Sequence, residues 1–148
     1  MRFYAVSGSA AQQRTDCAIV GLYESGALSG AATQLDAALG GRIARLVKRR
    51  DLRGKAGETL LLDVDGGPCE RVLVVGLGRK DSFGRKQYRK AVLAAATALG
   101  RTGTRDAVSH LSSEPVADTD AYYRGRLAAE AVGAALYRVP AIRSARRP

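Results

Sequence analysis

Three carboxylates near the middle of the chain come closest, by type and spacing, to a metal site. Asp63 and Asp65 are two positions apart, so a strand would present both side chains on one face, and Glu58 lies shortly before them. A two-metal hydrolase holds its cations with clustered carboxylates. No further ligand is evident beside the two aspartates. We therefore interpret all three acids as polar residues of a hairpin, and we predict that the chain carries no catalytic or metal-ligating residue.

Nucleophilic catalysis would need a base beside a serine or cysteine, and His110 is the single histidine. Cys17 and Cys69 have the spacing of neither a zinc site nor a disulfide framework. Both cysteines fall in or beside predicted strands, so we expect small buried thiols. We expect His110 to be a strand-end residue without a catalytic role. Free thiols predict a reducing, cytoplasmic setting.

The glycine pair in Gly76-Leu77-Gly78 follows an apolar run and precedes a helical pattern, where a phosphate-binding loop would lie. The dinucleotide fingerprint requires a third glycine at position 81, and this chain has Asp81 there. An acidic residue near the start of a helix also repels an anion. We interpret the segment as a tight strand-to-helix turn in which glycine permits close packing.

Basic residues are concentrated in two segments, 42–55 and 79–90, each with one acid. Pairs such as Arg85 and Arg89 place like charges one turn apart on the outer face of a helix, which costs helix stability. A solvated basic face is the simplest interpretation, but phosphates, or acidic patches on another subunit or domain, would offset that cost. No aromatic residue is interleaved in a stacking pattern, which favours contact with a duplex backbone over a single strand. The candidate nucleic-acid contacts are Lys48, Arg49, Arg50, Arg53, Lys55, Arg85, Lys86, Arg89 and Lys90.

The composition is that of one domain with an aliphatic core. The chain has 148 residues, 46% of them hydrophobic, with no tryptophan, two phenylalanines and six tyrosines. No apolar run approaches the roughly 20 residues that span a bilayer, and residues 1–8 lack the long apolar stretch of a signal peptide. The formal charge of +10 favours solubility and attraction to polyanions.

Apolar periodicity predicts strands that alternate with helices, an arrangement typical of an α/β layered fold with a central sheet. The predicted strands are 3–6, 18–23, 59–64, 72–75 and 106–111. The predicted helices are 29–39, 42–50, 82–99 and 118–137. We expect Ser29 to cap the first helix, Ser82 or Asp81 the third, and a hairpin across Gly66-Gly67 to join the third and fourth strands.

Five segments occur in a characteristic order and spacing over residues 1–140. They are Cys17–Gly21, Gln34–Asp36, Leu52–Leu62, Arg71–Gly78 and Gln87–Lys90. Together they resemble the N-terminal domain of the cytosolic leucine aminopeptidase family. The resemblance implies a macro-domain-like fold of three layers, with a mixed central sheet flanked by helices.

The resemblance also implies a function for the protein to which the chain would belong. Members of that family are homohexameric metallo-exopeptidases that remove N-terminal residues from peptides. Their catalytic residues and two divalent metals, Mn or Zn, lie in a C-terminal domain that contains Asn-Thr-Asp-Ala-Glu-Gly-Arg, a pattern not found here. We therefore expect residues 1–140 to be a non-catalytic N-terminal domain, inactive alone, and residues 141–148 to begin a linker to an absent catalytic domain.

The expected partners are that C-terminal catalytic domain, other copies in a homo-hexamer, and DNA, which some bacterial members of the family bind. The domain would then support the hexamer and shape access to the catalytic domain. Two alternatives stay open. One is a stand-alone basic module that binds nucleic acid, and the other is a macro-like domain that holds an ADP-ribose-type ligand near Gly76-Leu77-Gly78.

Overall fold

A five-stranded sheet forms the centre of the computed structural model, which describes residues 2–5, 14–64, 67–104, 106–111, 114, 116, 123, 124 and 126. The strands are β1 (Arg2–Ala5), β2 (Thr15–Tyr23), β3 (Thr59–Asp63), β4 (Cys69–Gly78) and β5 (Asp106–Ser109). The α-helices with defined bounds are α1 (Gly30–Ala38), α2 (Arg42–Lys48) and α3 (Arg85–Leu99), and Tyr123, Arg124 and Arg126 are also helical.

The strand order is β1-β5-β2-β4-β3, and the sheet is mixed. Strands β1, β5, β2 and β4 run parallel, while β3 runs antiparallel to β4 with Leu61 opposite Leu73. The predicted mixed α/β sheet and the antiparallel pairing of the third and fourth strands are thus confirmed. Because β5 lies between β1 and β2, the last of the described strands in the sequence joins β1 to the rest of the sheet.

Strands β2 and β4 are buried on both faces, as expected for parallel strands covered by helices. Side chains alternate between the two faces. Ile19 belongs to an apolar cluster under α3, and its neighbour Val20 belongs to a second cluster under α1 and α2. The three-layer arrangement predicted from the sequence is therefore confirmed.

The helices bury the stripes that their periodicity predicts. Along α3, Tyr88, Val92, Ala95 and Leu99 are all buried against the sheet. On the opposite face, Leu35 of α1 is fully buried. The outward sides of the helices are left to polar and charged residues, and these sides carry the candidate site.

The beginnings of two helices show one correct and one wrong prediction. Ser29 caps α1, because its Oγ accepts a hydrogen bond from the Ala32 amide at 3.1 Å. The predicted cap of α3 at Ser82 or Asp81 is wrong, since both residues lie in a short 3₁₀ turn. Helix α3 begins later because the Gln87 side chain accepts a hydrogen bond from the Gly84 amide at 3.1 Å.

Other boundaries differ by a few residues. Strands β2 and β4 are longer than predicted, since polar residues at their ends continue the pairing of Thr15 with Cys69 and of Cys17 with Arg71. Helix α2 ends at Lys48, before the predicted end at Arg50, which has a φ of 61°. Most of the predicted last helix, 118–137, and the predicted linker, 141–148, lie outside the described residues.

Candidate functional site

The basic residues of α2 lie on one face of the molecule. Ile43 is buried under this helix, which leaves the basic side chains pointing outward. A cleft of about 470 Å³ between α2 and β3 is lined by Arg42, Arg45, Leu46, Lys48, Arg49 and Leu62. The cleft has a cationic rim and an apolar floor, and none of the described acidic side chains lines it.

The loop after α2 carries the other basic residues of this cluster. Arg49 lies 3.6 Å from Asp51, and both side chains are at least half exposed, so this ion pair contributes little to stability. Arg50 and Arg53 are also exposed. The Arg53 amide donates to the Glu58 carboxylate at 2.8 Å, which fixes the loop but leaves the Arg53 side chain in solvent.

The basic residues of α3 lie on the other side of the sheet. Arg85, Lys86, Arg89 and Lys90 are all exposed. The Arg85 guanidinium lies over the ring of Tyr123, 4.7 Å from its centroid, within cation–π range.

The nine predicted contacts therefore form two surfaces rather than one. Helices α2 and α3 pack on opposite faces of the sheet. Lys55 lies on the segment that passes along the end of β4, where a Cβ on Gly57 would come 3.1 Å from Lys90 Cε. A straight DNA duplex can therefore contact only one of these two surfaces at a time.

The turn at Gly76-Leu77-Gly78 is packed against neighbouring backbone segments of the chain. The Gly76 amide donates to the Glu58 carbonyl at 2.6 Å, and the Gly78 amide donates to the Gly54 carbonyl at 2.8 Å. A Cβ at Gly76 would overlap the carbonyl oxygen of Lys55. The interpretation of these glycines as packing and turn residues is confirmed, and these two amides point at carbonyl oxygens instead of a phosphate.

The acids singled out in the sequence are not brought together as metal ligands. Glu58 Oε1 accepts hydrogen bonds from the amides of Arg53 and Gly54, at 2.8 and 2.9 Å. Asp63 is exposed at the end of β3, and Asp65 lies outside the described residues. Among the described residues, no group of three or more His, Cys, Asp or Glu side chains is placed to hold a metal ion.

Both cysteines are buried free thiols, as predicted. Burial, with smaller effects from neighbouring groups, raises the pKa of Cys17 to about 12 and that of Cys69 to about 11. The thiolate is the reactive form of cysteine, so both groups are inert at neutral pH. Burial also lowers the pKa of His110, which keeps the imidazole neutral.

The contacts of the buried carboxylate Glu114 were missed by sequence reasoning. Glu114 accepts a hydrogen bond from the Tyr23 hydroxyl at 2.6 Å and another from the Gly30 amide at 2.9 Å. The carboxylate thus occupies the N-terminus of α1, where a ligand anion would otherwise be favoured. Burial and Glu114 together raise the pKa of Tyr23 above its usual range. No local signal marks this contact, because its partners are far apart in the sequence.

Among the described residues, no helix has the length and apolar character required to cross a membrane.

Comparison with known proteins relates residues 19–146 to a family model described as the cytosol aminopeptidase family, N-terminal domain. A probable cytosol aminopeptidase of Halorhodospira halophila is 44% identical over 149 residues, which cover 100% of this chain and 30% of that protein. The chain therefore spans about a third of the length of this relative.

Solved structures agree on the fold. A tomato leucine aminopeptidase mutant superposes with a TM-score of 0.67 at 22% identity, covering 91% of this chain and 28% of that one. A Trypanosoma brucei macrodomain superposes with a TM-score of 0.74 at 15% identity, covering 97% of this chain and 59% of that one. The predicted macro-domain-like fold is confirmed. The family model matches most of the chain, and on that ground the chain belongs to the cytosol aminopeptidase family, as its N-terminal domain.

Proposed function

We propose that the chain is the non-catalytic N-terminal domain of a metal-dependent, leucyl-aminopeptidase-type exopeptidase that releases N-terminal residues from peptides. The observation that carries the proposal is the match to the N-terminal domain model over residues 19–146. The alignment with 30% of a relative described as a probable cytosol aminopeptidase supports it.

The proposal divides the protein into parts. Residues 1–140 form the domain, and 141–148 begin a linker to a C-terminal catalytic domain that binds two divalent metals, Mn or Zn. The protein acts in the cytoplasm as a homo-hexamer, which this domain helps to assemble. The basic outer surfaces support such a role, since acidic patches on a neighbouring domain or subunit would complement them.

The direct test is hydrolysis of leucine p-nitroanilide by the 148-residue chain with added Mn²⁺ or Zn²⁺. We expect no turnover above buffer. Metal-dependent turnover that a chelator abolishes would overturn the non-catalytic assignment. Reading the coding sequence past the codon for Pro148 is an independent check, for which we expect a segment with Asn-Thr-Asp-Ala-Glu-Gly-Arg.

Contact with duplex DNA is a second candidate function, and the start of α3 favours it. Because α3 begins at Arg85, both Arg85 and Lys86 lie in its first turn, where the helix dipole disfavours cations. Arg89 and Lys90 add like charges one turn further along. Phosphate groups would offset both costs by charge-assisted hydrogen bonds and counterion release.

The two basic surfaces provide a matched test of DNA contact. We expect Arg85→Glu with Arg89→Glu to weaken duplex binding in a gel shift and to lower the salt slope by about 2. Arg42→Glu with Arg45→Glu changes the net charge equally on the opposite face, at exposed residues outside the candidate contacts, and should have little effect. The Arg85→Glu change places an acid in the first turn, which favours the helix, and circular dichroism of the variant checks that a loss of binding does not reflect unfolding. Salt-independent binding, or equal losses in both variants, would rule out this assignment.

A further inference from the structure

Strand β3 forms one edge of the sheet among the described residues. It is last in the strand order, and β4 is its only strand neighbour among the described residues. Leu61, in the middle of β3, is 38% exposed and is the one exposed large hydrophobic residue in the described part of the chain. Natural edge strands are usually protected by proline, inward charges or a bulge. Within β3 the one charged residue is Asp63, at its end.

The α2 side of this edge is cationic above an apolar floor. Leu62 of β3 and Leu46 of α2 line the cleft of about 470 Å³ described above. Arg45 and Lys48 are exposed at its rim. Such a cleft accepts an apolar side chain on the floor and a carboxylate at the rim.

The α3 side of the same edge repeats this arrangement. A groove of about 380 Å³ is lined by Thr59 of β3 and, along α3, by Lys90, Leu93 and other residues, with Arg101 after the helix end. Leu93 is half-buried, and both Lys90 and Arg101 are exposed. Cations with adjacent apolar surface therefore flank β3 on both faces of the sheet.

We propose that the β3 edge binds an extended acidic peptide segment of a partner protein, which adds to the sheet as a sixth strand. Backbone hydrogen bonds to β3 would hold the segment, as in other cases of strand addition. Successive side chains of a strand point to opposite faces, so acidic residues on the added strand reach Arg45 and Lys48 on one face and Lys90 and Arg101 on the other.

Two other occupants fit less well. A second copy of this chain would bring the same cationic flanks together, and each copy carries a formal charge of +10. Nucleic acid has phosphates for the cations, but its backbone cannot pair with β3 or use the leucine floor. Charge complementarity therefore favours an acidic polypeptide.

The test uses the 148-residue chain and two end-capped octapeptides, one repeating Glu-Glu-Val-Val and one repeating Lys-Lys-Val-Val, so that an added strand carries both residue types on each of its faces. Peptide affinity is measured by fluorescence anisotropy, and the site by backbone amide NMR shifts. The variants are Arg45→Glu and Lys90→Glu, one on each flank. Arg14→Glu is the matched control. Arg14 is exposed and lies directly before β2, and β4 separates β2 from β3.

We expect the Glu/Val peptide alone to bind and to shift the amides of residues 60–63. Each flank variant should weaken binding roughly fivefold, and the Arg14→Glu control less than about twofold. N-methylation of every peptide bond should abolish binding, because it removes the donors that pair with β3 whichever set of amides faces the strand.

Four results would overturn the proposal. They are equal weakening by all three variants, amide shifts confined to other elements, unchanged binding of the N-methylated peptide, and β3 shifts produced by duplex DNA in place of the peptide. A concentration-dependent dimer that Leu61→Asp dissociates would assign the edge to a second copy instead.

Discussion

At the scale of single residues, the most constrained positions are glycines where two backbone segments touch. Gly76 lies against the Lys55 carbonyl, and Gly54, with a φ of 80°, lies against the Tyr23 carbonyl. Both contacts hold the segment before β3 across the ends of β2 and β4. The glycine-rich sequence thus has a steric cause, namely the absence of room for a Cβ.

Gly76→Ala should therefore lower the free energy of unfolding by more than about 2 kcal/mol, because backbone must move to admit the methyl group. Urea denaturation measures the change. Gly103→Ala is the matched control, since no atom of the described residues lies within 4 Å of its Cβ position, and it should stay within about 0.5 kcal/mol of wild type. Equal losses in both variants would show that the close approach at Gly76 is relaxed in solution.

At the scale of elements, helix α2 receives its cap from another helix. It begins after Gly41, which has no side chain that could cap the helix, and Asp36 of α1 caps it instead. Asp36 Oδ1 accepts hydrogen bonds from the amides of Ile43 at 2.7 Å and Ala44 at 3.4 Å. The buried carboxylate thereby fixes α2, and with it the basic rim of the cleft, relative to α1.

Asp36→Ala should lower the free energy of unfolding by about 1–2 kcal/mol, because two amides at the start of a short helix lose their acceptor. Asp36→Asn keeps an acceptor oxygen and should lose less. Thermal or urea unfolding of both variants distinguishes the two cases. If Asn and Ala were equally destabilising, the carboxylate charge rather than the cap would be the stabilising feature.

The two helix caps show which contacts could be predicted from the sequence and which could not. Ser29 was predictable because a cap acts on amides two or three residues away. Two other contacts were not predictable, because they join segments that only the tertiary fold brings together. They are the contact of Asp36 with α2 and that of Glu114 with Tyr23 and Gly30. The candidate site followed the same rule. Exposure of its basic residues was predictable, whereas their division between two faces depended on how α2 and α3 pack.

At the scale of the whole molecule, the core contains cysteine thiols and tyrosine hydroxyls that are uncharged near neutral pH. Burial raises the pKa of Cys17 and Cys69, and it moves the pKa of Tyr23 and Tyr88 above the usual range. In the unfolded chain these groups lose their protons at lower pH than in the folded chain. Unfolding therefore releases protons in alkaline solution, and stability must fall there.

We expect the free energy of unfolding to be unaffected by these groups below about pH 8 and to decrease as the pH rises from about 9 towards 11. Urea midpoints at pH 7, 9 and 10.5 measure the trend. A variant with Cys17→Ala and Cys69→Ala should be less stable at every pH but show a shallower decline between pH 9 and 10.5. An unchanged decline would mean that the thiols titrate alike in the folded and unfolded chains.

The position of β5 between β1 and β2 has a consequence for synthesis. Among the described strands β1 pairs with β5 alone, Arg2 opposite Asp106, so the earliest of these strands to be synthesised is the last to find its place. At about 5–20 residues per second, β1 waits roughly 5–20 seconds for its neighbour. During translation the nascent chain therefore exposes an unpaired strand, and that interval is when a chaperone would be needed.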